Sequence, residues 1–324
     1  MQQDSLSSGA GSASNPTVSV VIATYNRTGP LKHAIQSVLN SSLTDWEIIV
    51  VGDACTDDTE ECVAAFNNPR IRFFNLPVRW GYQSGPHNYG VSVAAGRYVA
   101  FLNHDDLFLP DHLSACVAEL QSSGADLVWD ACATVHPNPS ASGNELPLSF
   151  MISGAPPNFR YSPFPFYFAS SWVFRRSLAD RVGPWVPADK EFVQPSQTWL
   201  FKAWRSGAKL RFLPKVGVIK ISGSFRPNAY KRADCPEHDL LATWLQDGPA
   251  ALARIFEQAA INEASRWMAD HFNPPPISFL HVLLRPIYAL CVAMNIHPRT
   301  LAHVIRHGRR GSLIRKTRKY TGSE

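Results

Sequence analysis

Long apolar runs are scarce in this 324-residue chain. The stretch 277–294 is apolar, but His281, Arg285 and Pro286 interrupt it. As a helix it would reach about 27 Å, short of a comfortable membrane span, and a charge near its middle makes spanning costlier. Residues 1–16 are rich in Ser, Gly and Ala and lack the continuous apolar core of a signal peptide, so they are expected to be a disordered leader. The six cysteines (Cys55, Cys62, Cys116, Cys132, Cys235 and Cys291) show no metal-ligand spacing. Reduced structural thiols in a cytosolic protein are the expectation. There is no internal repeat. The turn after the first apolar run, Thr24-Tyr25-Asn26-Arg27, is not a Gly-rich phosphate loop, which disfavours a nucleotidyltransferase.

Charge is present but unevenly placed. Residues 271–324 hold nine Lys/Arg and one acid, a net +8, while the remainder holds 22 against 25, a net −3. A mildly acidic body with a basic tail points to an anionic partner for the tail alone. The tail lacks interleaved aromatics, so nucleic acid is not that partner. An apolar segment followed by Arg299, Arg306, Arg309, Arg310, Arg315, Lys316, Arg318 and Lys319 suits an anionic membrane surface. The competing reading is a helical cap packed on the body of the protein.

Strand and helix patterns alternate. Val18-Ser19-Val20-Val21-Ile22 is a short β-rich run, and the spacing of Leu31, Ile35, Val38 and Leu39 predicts a helix with one buried face. Further strands are expected at 46–51, 71–75, 98–102 and 126–129, with helices opening near Thr56, Pro86 and Pro110. This order predicts an α/β, doubly wound, mostly parallel sheet. Residues 136–165, rich in Pro, Ser and Asn, read as loops. A strand near 172–174, a helix near 199–204 and a largely helical stretch over 240–269 follow. The expected division is 1–16 leader, 17–225 catalytic domain and 226–324 helical extension with a basic amphipathic tail.

The sharpest local feature is Phe101-Leu102-Asn103-His104-Asp105-Asp106. Two adjacent carboxylates at the carboxyl end of a buried strand lie where ligands bind in open α/β sheets, and hard oxygen donors suit Mg²⁺ or Mn²⁺. The plainer reading is that Asp106 caps the next helix. Tyr25 after the first strand offers a flat face, and Asp53 after the second offers one polar reader for a nucleotide base.

Three segments, 18–27, 47–59 and 96–106, in this order and spacing resemble the family 2 glycosyltransferases. These have the GT-A fold and use nucleoside-diphosphate sugars. The resemblance covers about residues 17–130 well and 165–215 more loosely. It implies that Thr24, Tyr25, Arg27, Asp53, Asn88, Asn103 and His104 contact the donor, with Asp53 hydrogen-bonding the base. Asp105 falls on the principal metal ligand, Asp106 assists, and the cofactor would be Mn²⁺ or Mg²⁺. Two departures stand out: Gly52 replaces the first of two usual acids, and Asn103 replaces the first carboxylate of Asp-x-Asp.

An inverting transfer needs a carboxylate to take the acceptor's proton. The family's Glu-Asp before the helix near Trp199 is missing, and the stretch reads Gln194-Pro195-Ser196-Gln197-Thr198-Trp199. Glu191 is the favoured substitute, with Asp189 beside it and Asp130 as a base from elsewhere. Trp172, Trp185 and Trp199 are candidates to line an acceptor site, His87 to touch phosphate or sugar, and His238 to reach the metal. Without a multi-span membrane region or a Gln-x-x-Arg-Trp motif, a processive synthase is disfavoured. The resemblance thus implies transfer from a UDP-sugar, the favoured donor, to a glycan or lipid-linked acceptor. The setting would be the cytoplasm or the cytoplasmic membrane face, in cell-surface or extracellular polysaccharide synthesis. The alternative is a catalytically inactive module of the same fold that binds nucleotide-sugar or glycan.

Overall fold

A computed structural model describes residues 15–138, 148–221, 228, 230, 235–272 and 279–323. In chain order the first half contains β1 (Val18–Thr24), α1 (Thr28–Leu39), β2 (Trp46–Gly52), α2 (Thr59–Ala64), β3 (Ile71–Asn75), α3 (Ser84–Ser92), β4 (Tyr98–Asn103) and β5 (Asp106–Phe108). Then come α4 (His112–Ser123), β6 (Leu127–Pro137), β7 (Leu148–Ser153), β8 (Trp172–Arg175), α5 (Arg176–Val182), α6 (Pro195–Arg205) and β9 (Leu210–Ile221). The helices α7 (Pro236–Gln246), α8 (Pro249–Phe272), α9 (Phe279–Ala293), α10 (Arg299–His307) and α11 (Ser312–Thr321) complete the described chain.

The strands form one sheet in the order β3-β2-β1-β4-β8-β6-β9-β5, with β7 added to β6. β3, β2, β1 and β4 run parallel, whereas β8 turns antiparallel to both β4 and β6. Every residue of β1 and β2 is buried, which explains their mostly apolar pattern; the buried Ser19 and Glu47 that interrupt it hydrogen-bond each other at 2.6 Å. Alternate residues serve opposite faces. Val20, Ile22, Ile48 and Val50 pack with Leu31, Ile35, Val63 and Leu113 of α1, α2 and α4. Val21, Ile49 and Val51 face the side that holds Leu178, Trp199 and Leu200 of α5 and α6. Helices thus cover both faces, as a doubly wound sheet requires.

Three local expectations change. The stretch read as loops contains β7, which pairs antiparallel with β6 over Cys132–Pro137. Its short apolar run is hidden by polar neighbours on both sides, and 139–147 lie outside the described residues. The expected helix over 240–269 is broken at Gly248, whose φ of +88° separates α7 from α8. Asp106 does not cap a helix, because it begins β5 and pairs with Lys220 of β9. The expected leader, through residue 14, and the 225/226 division lie outside the described residues.

Candidate nucleotide-sugar site

The parallel strands end on one edge of the sheet, and loops from three of them supply the candidate residues. After β1, Asn26 adopts φ +46° and is tied to the loop after β2, donating to Thr56 Oγ1 at 3.1 Å and accepting from Thr56 N at 2.9 Å. An Asn tolerates this left-handed backbone better than most residues. Thr24 closes β1, and its carbonyl accepts Asp53 N at 2.9 Å, so Tyr25 and Asp53 are set side by side.

β2 ends at Gly52 for a steric reason. A Cβ there would lie 2.6 Å from Asn75 Oδ1, which is already accepting Cys55 N at 2.8 Å. A side chain at this position would have to push aside the Asn75 amide, and with it the Cys55 and Phe73 side chains, which accounts for the first departure from the family pattern. Asp53 is buried, and its two carboxylate oxygens accept Trp80 N at 2.7 Å and Gly81 N at 2.6 Å. Burial raises its carboxyl above the usual range, against these two bonds and the charges of Arg79 and Arg318.

Tyr25, Asp53, Thr24 and His104 share one cleft of about 150 Å³ with Arg79, Gly81, Gln83, Tyr230 and residues of α11. The Arg79 guanidinium lies 3.9 Å from the centre of the Tyr25 ring, a stacked cation–π arrangement. Arg27 is buried, its guanidinium 5.1 Å from the Tyr230 ring. The His104 Nε2 is 3.5 Å from the Tyr230 hydroxyl, and burial pulls this imidazole down to about 4, partly opposed by Asp105.

The two acids after β4 have different surroundings. Asp106 is fully buried and accepts from Ser170 Oγ at 2.6 Å, Asn103 Nδ2 at 2.8 Å, Ile221 N at 3.2 Å and Lys220 Nζ at 3.2 Å. Its lone pairs are used inside the protein, so it anchors the loop instead of assisting at a metal. Asn103 can donate to Asp106, which a carboxylate could not, and it accepts from Gln83 Nε2. The second departure from the family pattern is therefore part of this internal network. Asp105 is partly exposed, and among the described residues no hydrogen-bond donor meets its carboxylate. Burial pushes its carboxyl up, but His104, Lys220 and Arg27 outweigh this, so it is held below the usual range.

Other candidates fall elsewhere. Asn88 is spent on structure, donating to Trp185 O at 2.9 Å and accepting Trp185 N at 2.8 Å. His87 is fully buried and stacked on Phe101 at 4.3 Å, so it does not touch a ligand in this cleft. Trp172, Trp185 and Trp199 belong to an aromatic core, with Trp172 and Trp199 stacked at 6.2 Å, and none lines the cleft of Tyr25 and Asp53; Trp185 and Trp199 border a separate cavity of about 340 Å³. Asp130 is fully buried against His112 at 2.7 Å and is withdrawn as a base. His238 is buried and donates Nε2–H to the Asp105 carbonyl at 3.0 Å, which positions the loop. Asp189 and Glu191 lie at the start of α11, where Gly311 N donates to Glu191 O at 2.8 Å. Neither acid is among the residues lining the cleft.

Sequence reasoning missed Lys220, Ser170, Tyr230, Arg79 and Arg318. Lys220 did carry a signal, a lone cation in the apolar run Val218-Ile219-Lys220-Ile221.

A doubly wound sheet with a buried acid after its second strand lining the cleft, and a second acid after its fourth strand next to His104 of the same lining, defines an α/β protein of GT-A type. The chain belongs to glycosyl transferase family 2, whose sequence profile matches residues 19–183. It is 35% identical over 115 residues to the succinoglycan biosynthesis protein ExoO of Rhizobium meliloti, covering 36% of this chain and 33% of that one. It is 32% identical over 172 residues to the GalNAc(5)-diNAcBac-PP-undecaprenol beta-1,3-glucosyltransferase of Campylobacter jejuni, covering 51% of this chain and 53% of the relative. The chain thus spans a third to about half of these relatives. The structure of S. aureus TarS 1–349 in complex with UDP-GlcNAc shares the fold at a TM-score of 0.52 and 17% identity, over 90% of this chain and 92% of that one.

Proposed function

We propose that this chain transfers a sugar from a nucleoside-diphosphate sugar, preferably a UDP-sugar, to a glycan or lipid-linked acceptor with inversion at the anomeric carbon. The supporting observation is the cleft that joins Tyr25 and Asp53, with Asp105 following the His104 that lines it. Each Asp53 oxygen keeps a second lone pair, so the carboxylate can accept the N3–H of uracil. The Tyr25–Arg79 stack offers a flat wall for the base. The UDP-GlcNAc bound by TarS favours uridine, and the names of ExoO and of the Campylobacter enzyme favour surface or extracellular glycan synthesis.

The donor set at the third loop fits a hard divalent cation that borrows most of its shell. Asp105 contributes one free, ionised carboxylate, and the diphosphate and water would complete the coordination of Mn²⁺ or Mg²⁺. When bound, the ion would neutralise the departing diphosphate. Lys220, Ser170 and Asn103 hold Asp106, and through it the loop that presents Asp105. Glu191 is the proton acceptor in this reading, ahead of Asp189. Burial raises its carboxyl above the usual range, against Lys202 and Arg310, and a more basic carboxylate is the better base.

Among the described residues no helix is long and apolar enough to cross a membrane. Ile287, Leu290 and Met294 are nevertheless exposed at helical spacing on and just beyond α9. This apolar face, close in sequence to the basic tail, supports peripheral contact with the cytoplasmic membrane surface.

The test is nucleotide release from UDP-, GDP- and dTDP-sugars with Mn²⁺ or Mg²⁺ and a lipid-linked acceptor. Release from a UDP-sugar is expected. Metal-dependent binding without turnover would favour the inactive module, for which the absence of Glu191 and Asp189 from the cleft lining already speaks. Neither binding nor turnover would overturn both readings.

A further inference from the structure

The last described helix comes from the far end of the chain, yet it walls the nucleotide cleft. Ile314, Thr317, Arg318 and Thr321 line the same space as Tyr25 and Asp53. The helix is anchored at its start by Gly311 N on Glu191 O at 2.8 Å, and beyond its end by Ser323 O, which accepts from the Arg79 guanidinium.

Arg318 and Asp53 grip the same peptide from two sides. Asp53 accepts Trp80 N and Gly81 N at 2.7 and 2.6 Å, while Arg318 Nη2 donates to Trp80 O at 3.2 Å. The guanidinium rests on Gly81, where any Cβ would collide with it, and whose φ of +68° suits glycine. Among the described residues Arg318 makes its one hydrogen bond through Nη2, and its unpartnered Nε is enclosed, so the donors it can offer a ligand in the cleft are those of the terminal nitrogens. The guanidinium therefore keeps donors to spare beside a carboxylate that keeps lone pairs to spare.

We infer that Arg318 is a donor-binding residue, supplied by the C-terminal helix, that reads the nucleotide base together with Asp53. An acceptor beside a donor matches the N3–H and O4 of uracil. Cytosine presents a bare N3 and an amino group at the same two positions, so both contacts become mismatched. Buried polar groups left unpaired in this way give strong discrimination. The inference rests on the proposed nucleotide reading of the cleft.

The experiment is calorimetric titration of the full chain with UDP and with CDP in Mn²⁺ buffer. The proteins are the wild type, Arg318→Gln, Arg318→Lys, Asp53→Ala and, as a charge control, Lys319→Ala at an exposed position of the same helix. Wild type should prefer UDP over CDP. Arg318→Gln should weaken UDP by about tenfold or more and erase most of that preference. Arg318→Lys should retain part of the affinity, and Lys319→Ala should stay within about twofold of wild type. The preference is the informative readout, since a merely structural loss would weaken both nucleotides alike. UDP binding lost in Asp53→Ala but unchanged or tighter in Arg318→Gln would overturn this inference alone. No UDP binding by wild type would overturn the nucleotide reading and the inference with it. Should Arg318→Gln fail to fold, Arg318→Ala gives the same readout, and an unchanged UDP:CDP ratio there at lower affinity would overturn the role in base reading.

Discussion

Lys220 Nζ lies 3.2 Å from Asp106 Oδ1, on strands β9 and β5 that pair these two residues directly. The Asp106 side chain is completely buried and that of Lys220 is 12% exposed. Truncating one partner of a buried ion pair leaves the other charge uncompensated. Lys220→Met should therefore lower stability by about 3–5 kcal/mol, read by urea unfolding. A loss under about 1 kcal/mol would mean that Ser170, Asn103 and the Ile221 amide suffice for Asp106.

Gly52 is fixed by the space that Asn75 occupies. Gly52→Asp restores an acid that the family often carries, yet its Cβ would meet Asn75 Oδ1 at 2.6 Å. The expected result is a loss of about 1–3 kcal/mol with no gain in UDP affinity. Thermal unfolding and calorimetry check the two halves separately, and tighter UDP binding would contradict the packing explanation.

His87 is buried with neither ring nitrogen hydrogen-bonded among the described residues, and burial lowers its pKa from 6.5 to about 3. The unfolded chain then binds the extra proton first. Stability is fully present above pH 6.5, falls as the pH drops below that value, and the loss is complete near pH 3. His87→Phe should flatten the pH dependence of unfolding in this window, and an unchanged slope would contradict the burial.

Glu191→Gln tests the assigned base. Turnover should fall by about 10²-fold or more, with UDP affinity within about twofold of wild type. Unaltered turnover would move the assignment to Asp189 or another carboxylate.

The legible parts of this chain are those whose cause is local. β1, β2 and β4 are buried on both faces, so their apolar runs stand out, and Asp53 and Asp105 come within three residues of the end of such runs. β7 is illegible because Leu148, Phe150, Met151 and Ile152 make only a short run after a stretch rich in Pro, Ser and Asn, and pairing with β6 makes a strand of them. The three tryptophans invited a sugar-binding reading, but residue type alone does not separate an exposed platform from a core, and here they are core. Asn103 stands where the resemblance puts a carboxylate, and only the three-dimensional placement of Asp106 shows that it acts as a hydrogen-bond donor. In sequence Arg318 is one charge among several in a basic tail. Its place beside Trp80 and Gly81 depends on how α11 returns to the sheet, which no local pattern records.

The most direct measurement is calorimetric titration of UDP into wild type, with and without Mn²⁺, and into Asp105→Asn. A Mn²⁺-dependent gain in UDP affinity of about tenfold or more in wild type, lost in Asp105→Asn, is the predicted result. UDP binding that is absent, or equally strengthened by Mn²⁺ in Asp105→Asn, would contradict a nucleotide-sugar site built on Asp53 and Asp105.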